Sequence, residues 1–462
     1  MNTAQQLVHA YEMGVGLPPT AAVAVPEPGA RLAATLPVWA LAAGSVVVAG
    51  AAADRVRAAR GLPARGVRVD PDRVSAAFGS ERLFRQGGAA PSAFAELSGF
   101  FRSADGWVRT HANYPHHRER LLRALELPAD GDAARFTDRV AAMKGAEIED
   151  AATVAGAIAA RVRTEAEWVD SPMGRAAASG PPVAVDSNDT APGPHPSDNR
   201  LSLAALGTPT IDRPLTGVRV LDLTRVLAGP VATRTLALLG ADVLRVDPPH
   251  LPEIDWQFAD NCQGKRSTLL DLRTDLAAFE ELLAAADVLV TGYRPGALAA
   301  AGVDTTRHPG LIEASVSAWG ASGPWGARRG FDSIVQAASG ISLVEGTADR
   351  PGALPAQALD HGSGYLLTAG VMDALLARAE DGIGRSVRVS LARTASWLLA
   401  APDRTPDHPA ATPPDPSATV THDDIVTAAP VLADYDDFRW PAPPYGSAQP
   451  FWVEAPDHFH RP

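Results

Sequence analysis

Two arginines carry the first hint of chemistry. Arg225 follows the β-branched, apolar run Val218–Leu223, and Arg294 follows a second such run, Asp287–Thr291. If both runs are parallel strands of one sheet, both guanidinium groups stand at the carboxyl edge, where such sheets take their ligands. Such a local basic spot could hold an anionic ligand. The competing reading is two surface arginines paired with nearby acids. No GxGxxG follows the first run and no GxxxxGK[ST] occurs, which argues against ordinary dinucleotide and P-loop nucleotide sites. Asp360, ahead of Gly362-Ser363-Gly364, reads by itself as the N-cap of a helix over Gly364–Arg378. His111, His116, His117 and Arg118 invite a metal reading, but adjacent histidines lack ligand spacing. They are expected on a solvated or substrate-facing loop, with no metal. Cys262 has no catalytic context and reads as structural. Trp107, Trp168, Trp325 and Trp397 read as core.

The elements that must position these residues alternate. Val218–Leu223 suits a buried parallel strand, and Pro230–Gly240 a helix with Pro in its first turn and Gly at its end. Asp242–Val246 is the next strand, Phe279–Ala286 a helix and Asp287–Thr291 a third strand. Strand–helix–strand at this spacing predicts an open parallel α/β sheet. The residues after each strand are then the ligand edge: Thr224–Pro230, Asp247-Pro248 and Gly292–Gly296.

Lys and Arg number 41 against 53 Asp and Glu, a net charge of −12 over 462 residues. This acidic balance argues against a nucleic-acid or anionic-membrane binder. One cysteine excludes an internal disulfide framework. Residues Met1–Ala30 do not read as a signal peptide, so a soluble, cytoplasmic enzyme is expected. The uncharged stretch Leu36–Ala53 is rich in Ala, Gly and Val and reads as a buried, close-packed helix. Forty Gly and forty Pro require linkers, which fit Pro181–Arg200 and Ala401–Thr421.

Seven segments in order then resemble one family. They are LTGVRVLDLTRVLAGP (215–230), LGADVLRVDPP (239–249), GKRSTLLDLR (264–273) and ADVLVTGYRPGAL (286–298), followed by GPWGARRGFDSIVQAASG (323–340), ALDHGSG (358–364) and GIGRSVRVSLA (382–392). Leu215–Ala400 resembles the class III CoA-transferases of the formyl-CoA transferase and carnitine CoA-transferase type, relatives of α-methylacyl-CoA racemase. The resemblance implies a Rossmann-like CoA-binding sheet plus a smaller α+β domain. It implies that Asp360 is the nucleophile, passing CoA from an acyl-CoA to a carboxylic acid through an anhydride and an aspartyl-CoA thioester. Gly362, Ser363 and Gly364 would then let the thioester approach the backbone, with N–H groups for the oxyanion. It also implies CoA contacts at Arg225, Val226, Leu227 and Ala228, at Leu272 and Arg273, at Tyr293 and Arg294, and at Arg329. Tyr293 departs from the commoner phenylalanine. Lys265 and Arg266 match a family Lys-Arg pair, but read almost as well as surface charges near Asp271. CoA enters as substrate, no tightly bound cofactor is expected, and the partners are an acyl-CoA, an acid acceptor and a second copy in an interlocked homodimer.

Related racemases carry a histidine between Gly330 and Asp332, where this chain has Phe331. Moving an α-proton between two faces takes two bases, so transfer is preferred over acyl-CoA racemisation or epimerisation. His361, beside Asp360 in the chain, is expected to point elsewhere. A non-catalytic CoA-binding subunit is the third reading, suggested by the order of the chain.

That order is unusual. Residues 40–70 compare with 360–390 at a constant offset of 320: Gly44 with Gly364, Ala49-Gly50 with Ala369-Gly370, Arg65 with Arg385, and Val67–Val69 with Val387–Val389. At this offset Asp360 falls on Ala40, so the first copy cannot supply a nucleophile. The sheet that a full unit would carry ahead of that position is expected to be missing. Phe101–Arg118 and Arg163–Pro172 resemble the family's small C-terminal domain, with DGW opening a strand and RTEAEW ending a helical stretch. Phe438–Pro450 resembles its Pro-rich return strand. The expected division is 1–180 as a partial unit without the nucleophile, 181–212 as linker, 213–400 as the CoA-binding catalytic domain, and 401–462 as Pro-rich linker and return segment.

Overall fold

The computed structural model describes residues 1–92, 94–188, 203 and 206–453. Its centre is a mixed α/β sheet of seven strands: β1 (Ala184–Ser187), β2 (Arg219–Leu223), β3 (Asp242–Asp247), β4 (Arg266–Leu269), β5 (Val288–Thr291), β6 (Ile312–Ser317) and β7 (Arg385–Ser390). The spatial order is β1-β7-β6-β5-β2-β3-β4. All pairs are parallel except β1 with β7. Strand order therefore reverses between β2 and β5, the point at which open α/β sheets form a ligand crevice. In register, Leu221 lies beside Leu244 and Leu289.

Both faces of the sheet are covered, which is why β2 and β5 read as apolar runs without alternation. Val220, Val243 and Val288 join the main core, beneath the helices Ala228–Leu238 and Ala358–Asp381. Leu221, Leu244 and Leu289 join a second core with Phe279, Leu282 and Leu283 of the helix Leu276–Ala284. The predicted strands and helices of this region stand within a few residues of their expected bounds.

A separate three-stranded sheet joins Phe100–Ser103, Gly106–Thr110 and Ala159–Arg161. With the helices Pro115–Ala124, Ala133–Ala141 and Gly145–Ala155 it surrounds its own core of Val108, Leu121, Phe136 and Ile148. DGW does open a strand, whereas Arg163–Trp168 begins a helix rather than ending one. Thr164 caps Glu165–Asp170 through a reciprocal bond with Glu167.

The apolar stretch near residue 40 lies in the helix Val38–Ala59, and Leu41, Val46, Ala49 and Val56 are wholly buried. Among the described residues it is the one helix long and apolar enough to cross a membrane; its packing against Ala358–Asp381 accounts for that composition.

Three segments differ from expectation. Within 181–200, Ala184–Ser187 is the edge strand β1, because the backbone of β7 offers it a ladder whatever its composition; residues 189–200 lie outside the described residues. At the end of 401–421, Thr419–His422 pairs with Ile425–Ala428. Phe438–Pro450 forms no strand. It covers the sheet edge instead, with Gly446 N donating to Ser267 Oγ (3.0 Å) and Ala448 N to the Ser267 carbonyl (2.7 Å). Residues 454–462 lie outside the described residues.

Candidate active site

The crevice at the β2/β5 reversal opens into a cavity of about 350 Å³. Arg225, Val226, Leu227 and Ala228 line it after β2, and Tyr293 and Arg294 after β5. Arg329 and Asp360 complete the set, so eight of the ten proposed site residues come together. Leu272 and Arg273 do not line it. Arg273 is exposed at the end of β4, held by Asp271 (2.6 Å) and beside His250 (3.1 Å).

The loop after β2 is strained and pinned. Val226 has φ +71°, unusual for a β-branched residue. Its N–H donates to Glu253 Oε2 at 3.0 Å. Glu253 is buried and also binds Arg245 Nη2 (3.1 Å), the Tyr114 hydroxyl and, at 3.6 Å, Arg225. Despite its burial, Arg245 and Arg225 hold the Glu253 carboxyl down to about 2. Arg225 stacks over Tyr114, 5.0 Å from ring centre. Glu253 belongs to none of the resembling segments, and Tyr114 lies within one, Phe101–Arg118, without any spacing that marks it.

Asp360 is the third residue of the helix Ala358–Asp381, not its N-cap; Gln357 holds that place. Its side chain is buried, and Oδ2 has no hydrogen-bond partner among the described residues. Asp332 Oδ2 accepts the backbone N–H groups of Leu359 (2.9 Å) and Asp360 (3.1 Å), while Oδ1 accepts Gln336 Nε2. Burial, then the charge of Asp332, raises Asp360 well above the usual carboxylate range. Burial raises Asp332 to about 6 against those hydrogen bonds.

The small residues beyond Asp360 serve packing. A Cβ on Gly362 would lie 3.0 Å from Leu41 Cδ1, and one on Gly364 would lie 2.6 Å from the Ala228 carbonyl. Ser363 bonds Thr394 at 2.7 Å. The expected approach of a ligand to this backbone is replaced by helix–helix contact, and the nearby N–H groups are already taken by Asp332 and Gln357. His361 faces Phe78, 5.1 Å between ring centres, and not the cavity.

Lys265 is neither a surface charge nor a cavity residue. It is buried, with Nζ 2.9 Å from Asp222 Oδ2, 3.1 Å from the Pro230 carbonyl and 2.6 Å from Thr233 Oγ1. Arg266 binds Asp242 through Nε and Nη2, each at 2.9 Å.

The far wall comes from the N-terminal half. Tyr114, His116 and His117 line the cavity, and His117 lies in the helix Pro115–Ala124. His111 stacks on Phe331 at 3.7 Å, with His117 at 5.8 Å from the same ring. His116 and His117 line the cavity and His111 does not, and His111 and His117 are buried rather than solvated. Burial lowers His111 to about 3 and His117 to about 2. Arg328 and Arg329 close the rim; Arg329 Nη1 donates to the Gly156 carbonyl at 3.0 Å. Burial, and after it the charges of Arg294 and Arg120, lower Arg329 to about 10. Among the described residues, no cluster of His, Cys, Asp or Glu fits a metal ion.

A larger cavity of about 510 Å³ lies beyond the turn Tyr293–Gly296. It contains neither Asp360 nor Arg225 and carries the Glu313 carboxylate in its wall, so the smaller cavity is the candidate site.

At the switch point of the open α/β sheet, the buried Asp360 carboxyl, with Oδ2 unpartnered among the described residues, thus shares one cavity with Arg225, Arg294, Arg328 and Arg329. Residues 215–428 match the family model of CoA-transferase family III. The chain is 35% identical over 208 residues to a probable fatty acyl-CoA transferase of Mycobacterium tuberculosis, covering 41% of this chain and 53% of that protein. It is 35% identical over 196 residues to a formyl-CoA:oxalate CoA-transferase of Streptomyces coelicolor, covering 38% and 47%. A succinyl-CoA:glutarate CoA-transferase of Mus musculus is 33% identical over 198 residues, covering 39% and 45%. A crystal structure of a hypothetical protein from M. tuberculosis matches with TM-score 0.38 at 35% identity, covering 42% of this chain and 57% of that one. The chain spans about half the length of the curated relatives it matches.

Proposed function

We propose that the chain transfers CoA from an acyl-CoA to a carboxylic acid through Asp360. The observation that carries this reading is the buried Asp360 carboxyl, with Oδ2 unpartnered, in a cavity whose rim holds Arg225, Arg294, Arg328 and Arg329. Crowded guanidinium groups are stabilised by a polyanion such as the phosphates of CoA. The ionised Asp360 attacks the thioester carbonyl, forming a mixed anhydride and releasing CoA thiolate. The thiolate attacks the aspartyl carbonyl, giving an enzyme–CoA thioester and the free donor acid. An acceptor carboxylate attacks that thioester and forms a second anhydride, and the thiolate returns to the acceptor's acyl carbon. The new acyl-CoA leaves and Asp360 is a carboxylate again. Desolvation makes that carboxylate a stronger nucleophile.

The test is incubation with a panel of acyl-CoAs followed by hydroxylamine or borohydride, with mass spectrometry of the chain. Modification at Asp360 is the expected result; full activity of Asp360→Ala would overturn the mechanism.

One observation favours a second reading, α-proton exchange. Phe331 removes the base next to Asp332, but His117 enters the same cavity from the N-terminal half. With its conjugate acid at about 2, His117 is a feeble proton acceptor, which favours transfer. Deuterium uptake at the α-carbon without CoA exchange would reverse that preference.

A further inference from the structure

The offset of 320 is structural as well as sequential. A Cβ on Gly50 would meet Val67 Cγ1 at 3.0 Å, and one on Gly370 would meet Val387 Cγ1 at 2.7 Å. A Cβ on Gly44 would meet the Ala4 carbonyl at 2.9 Å and Leu7 at 3.1 Å; one on Gly364 would meet the Ala228 carbonyl at 2.6 Å and Val231 at 2.9 Å. The helix Thr3–Gly14 thus sits on Val38–Ala59 as Ala228–Leu238 sits on Ala358–Asp381. The match continues into the next helix. Asp70 caps Pro71–Phe78 by accepting from Arg73 N at 3.2 Å, and Ser390 caps Leu391–Ala400 by accepting from Arg393 N at 3.2 Å.

Between the first two helices the copies diverge. In the second copy this interval holds β3 to β6; in the first it is residues 15–37, with no strand. Residues 65–70, the counterpart of β7, therefore have no sheet to join, and Asp54 accepts the N–H groups of Arg65 (3.0 Å) and Gly66 (2.9 Å) instead. What the first copy keeps is the small sheet and helix that carry Tyr114, His116 and His117.

The two long helices face each other. Gly362 admits Leu41, and Arg55 grips Asp373 at 2.8 and 2.7 Å, with Tyr11 donating to the same carboxylate at 2.6 Å. We infer that the chain is two degenerate copies of one unit paired within one polypeptide. Each chain then holds a single complete site: nucleophile and arginine edge come from the second copy, the tyrosine–histidine wall from the first. No second chain is needed to complete it, which departs from the homodimer that the resemblance implies. The location equivalent to Asp360 in the first copy is Ala40, which carries no chemistry. The pairing stands on geometry; only the name of the ligand rests on the transferase reading.

Glu165 of the first copy binds Arg404 of the second at 2.6 Å, away from the cavity. Cys262 is the sole native cysteine and is buried, so introduced cysteines label selectively. A chain carrying both Glu165→Cys and Arg404→Cys, treated with a short bismaleimide, is expected to cross-link within itself. Co-expressed single variants, differently tagged, are expected to give no two-chain product. A two-chain product, or no cross-link in the double variant, overturns the inference. This readout stands whether or not the protein transfers CoA. Where transfer is measured, co-expressed Asp360→Asn and His117→Ala chains should not restore activity; restoration would show a site shared between chains.

Discussion

The Asp332 carboxylate holds the backbone N–H of Asp360 at 3.1 Å, so one buried acid grips the chain that carries another. This places two carboxyl groups in one dry region, and each opposes ionisation of its neighbour. Asp332 is raised to about 6, and Asp360 well above the usual range. The arrangement orients Asp360 and also makes its charged form costly.

Transfer needs the charged form, so its rate should fall as pH falls through the raised titration of Asp360. The acid limb of kcat/KM is expected above the ordinary carboxylate range. Asp332→Asn removes the opposing charge and keeps an acceptor for the two N–H groups. It should move that limb down. A limb unmoved in Asp332→Asn would remove Asp332 from the account.

The same shift has a consequence for stability. A carboxyl whose titration is raised by folding contributes stability below its ordinary range, and that contribution is lost as pH rises through the folded-state value. At pH 8 the ligand-free protein therefore bears a penalty at Asp360. Asp360→Asn should raise its stability there, with no gain near pH 4. Transfer should fall by on the order of a thousandfold or more. Denaturant melts at the two pH values check the sign.

The parallel strands were legible because burial on both faces leaves unbroken β-branched runs, and the switch point follows from their order. The expected edge was legible in part: Arg225–Ala228, Tyr293 and Arg294 line one cavity, whereas Asp247 and Pro248 do not, Asp247 being buried against Arg245. What failed was local chemistry decided at long range. Lys265 looks exposed beside Arg266 and Asp271, yet its ammonium is drawn inside by Asp222, Thr233 and Pro230. Gly362 and Gly364 look like ligand contacts, yet Leu41 and Ala228 occupy that space. Glu253 sits in no motif, and only the fold brings it to Val226, Arg225, Arg245 and Tyr114.

Lys265→Ala separates structure from binding. Removing the ammonium leaves the Asp222 carboxylate buried beside Thr224 and Thr233 without its cation. Breaking a buried pair costs about 3–5 kcal/mol. Chemical denaturation should show that loss, while the affinity of the folded fraction for CoA, by calorimetry, stays unchanged. A loss of affinity with intact stability would return Lys265 to the binding site.

Glu253→Gln tests the strained loop. The carboxylate is held near 2, so it contributes stability above the ordinary Glu range and loses it as pH falls toward that value. The amide keeps an acceptor for Val226 N but leaves Arg245 with only Asp247 as an anionic partner. Stability at pH 7 should drop by about 3 kcal/mol. KM for acyl-CoA should rise on the order of tenfold, with kcat changed less, because Val226 and Arg225 line the cavity as the proposed binding edge and are not the proposed nucleophile. Equal loss in both constants would place Glu253 in the chemical step.

Gly364→Ala and Gly44→Ala probe equivalent crossings of the two copies with different readouts. At Gly364 the added carbon would lie 2.6 Å from the Ala228 carbonyl and 2.9 Å from Val231 Cγ1, so the helix Ala228–Leu238 must move. Overpacking of this kind costs about 1–3 kcal/mol. Because Leu227 and Ala228 line the cavity with Asp360, the shift should also lower kcat. At Gly44 the carbon would meet the Ala4 carbonyl at 2.9 Å, a similar crowding at a helix that lines no part of the site. Its cost should appear in stability alone. Gly106→Ala, where the carbon meets nothing within 4 Å, should stay within about 0.5 kcal/mol of the parent. If Gly44→Ala lowers kcat as much as Gly364→Ala at equal folded fraction, the crossing of Ala228–Leu238 has no special hold on the site.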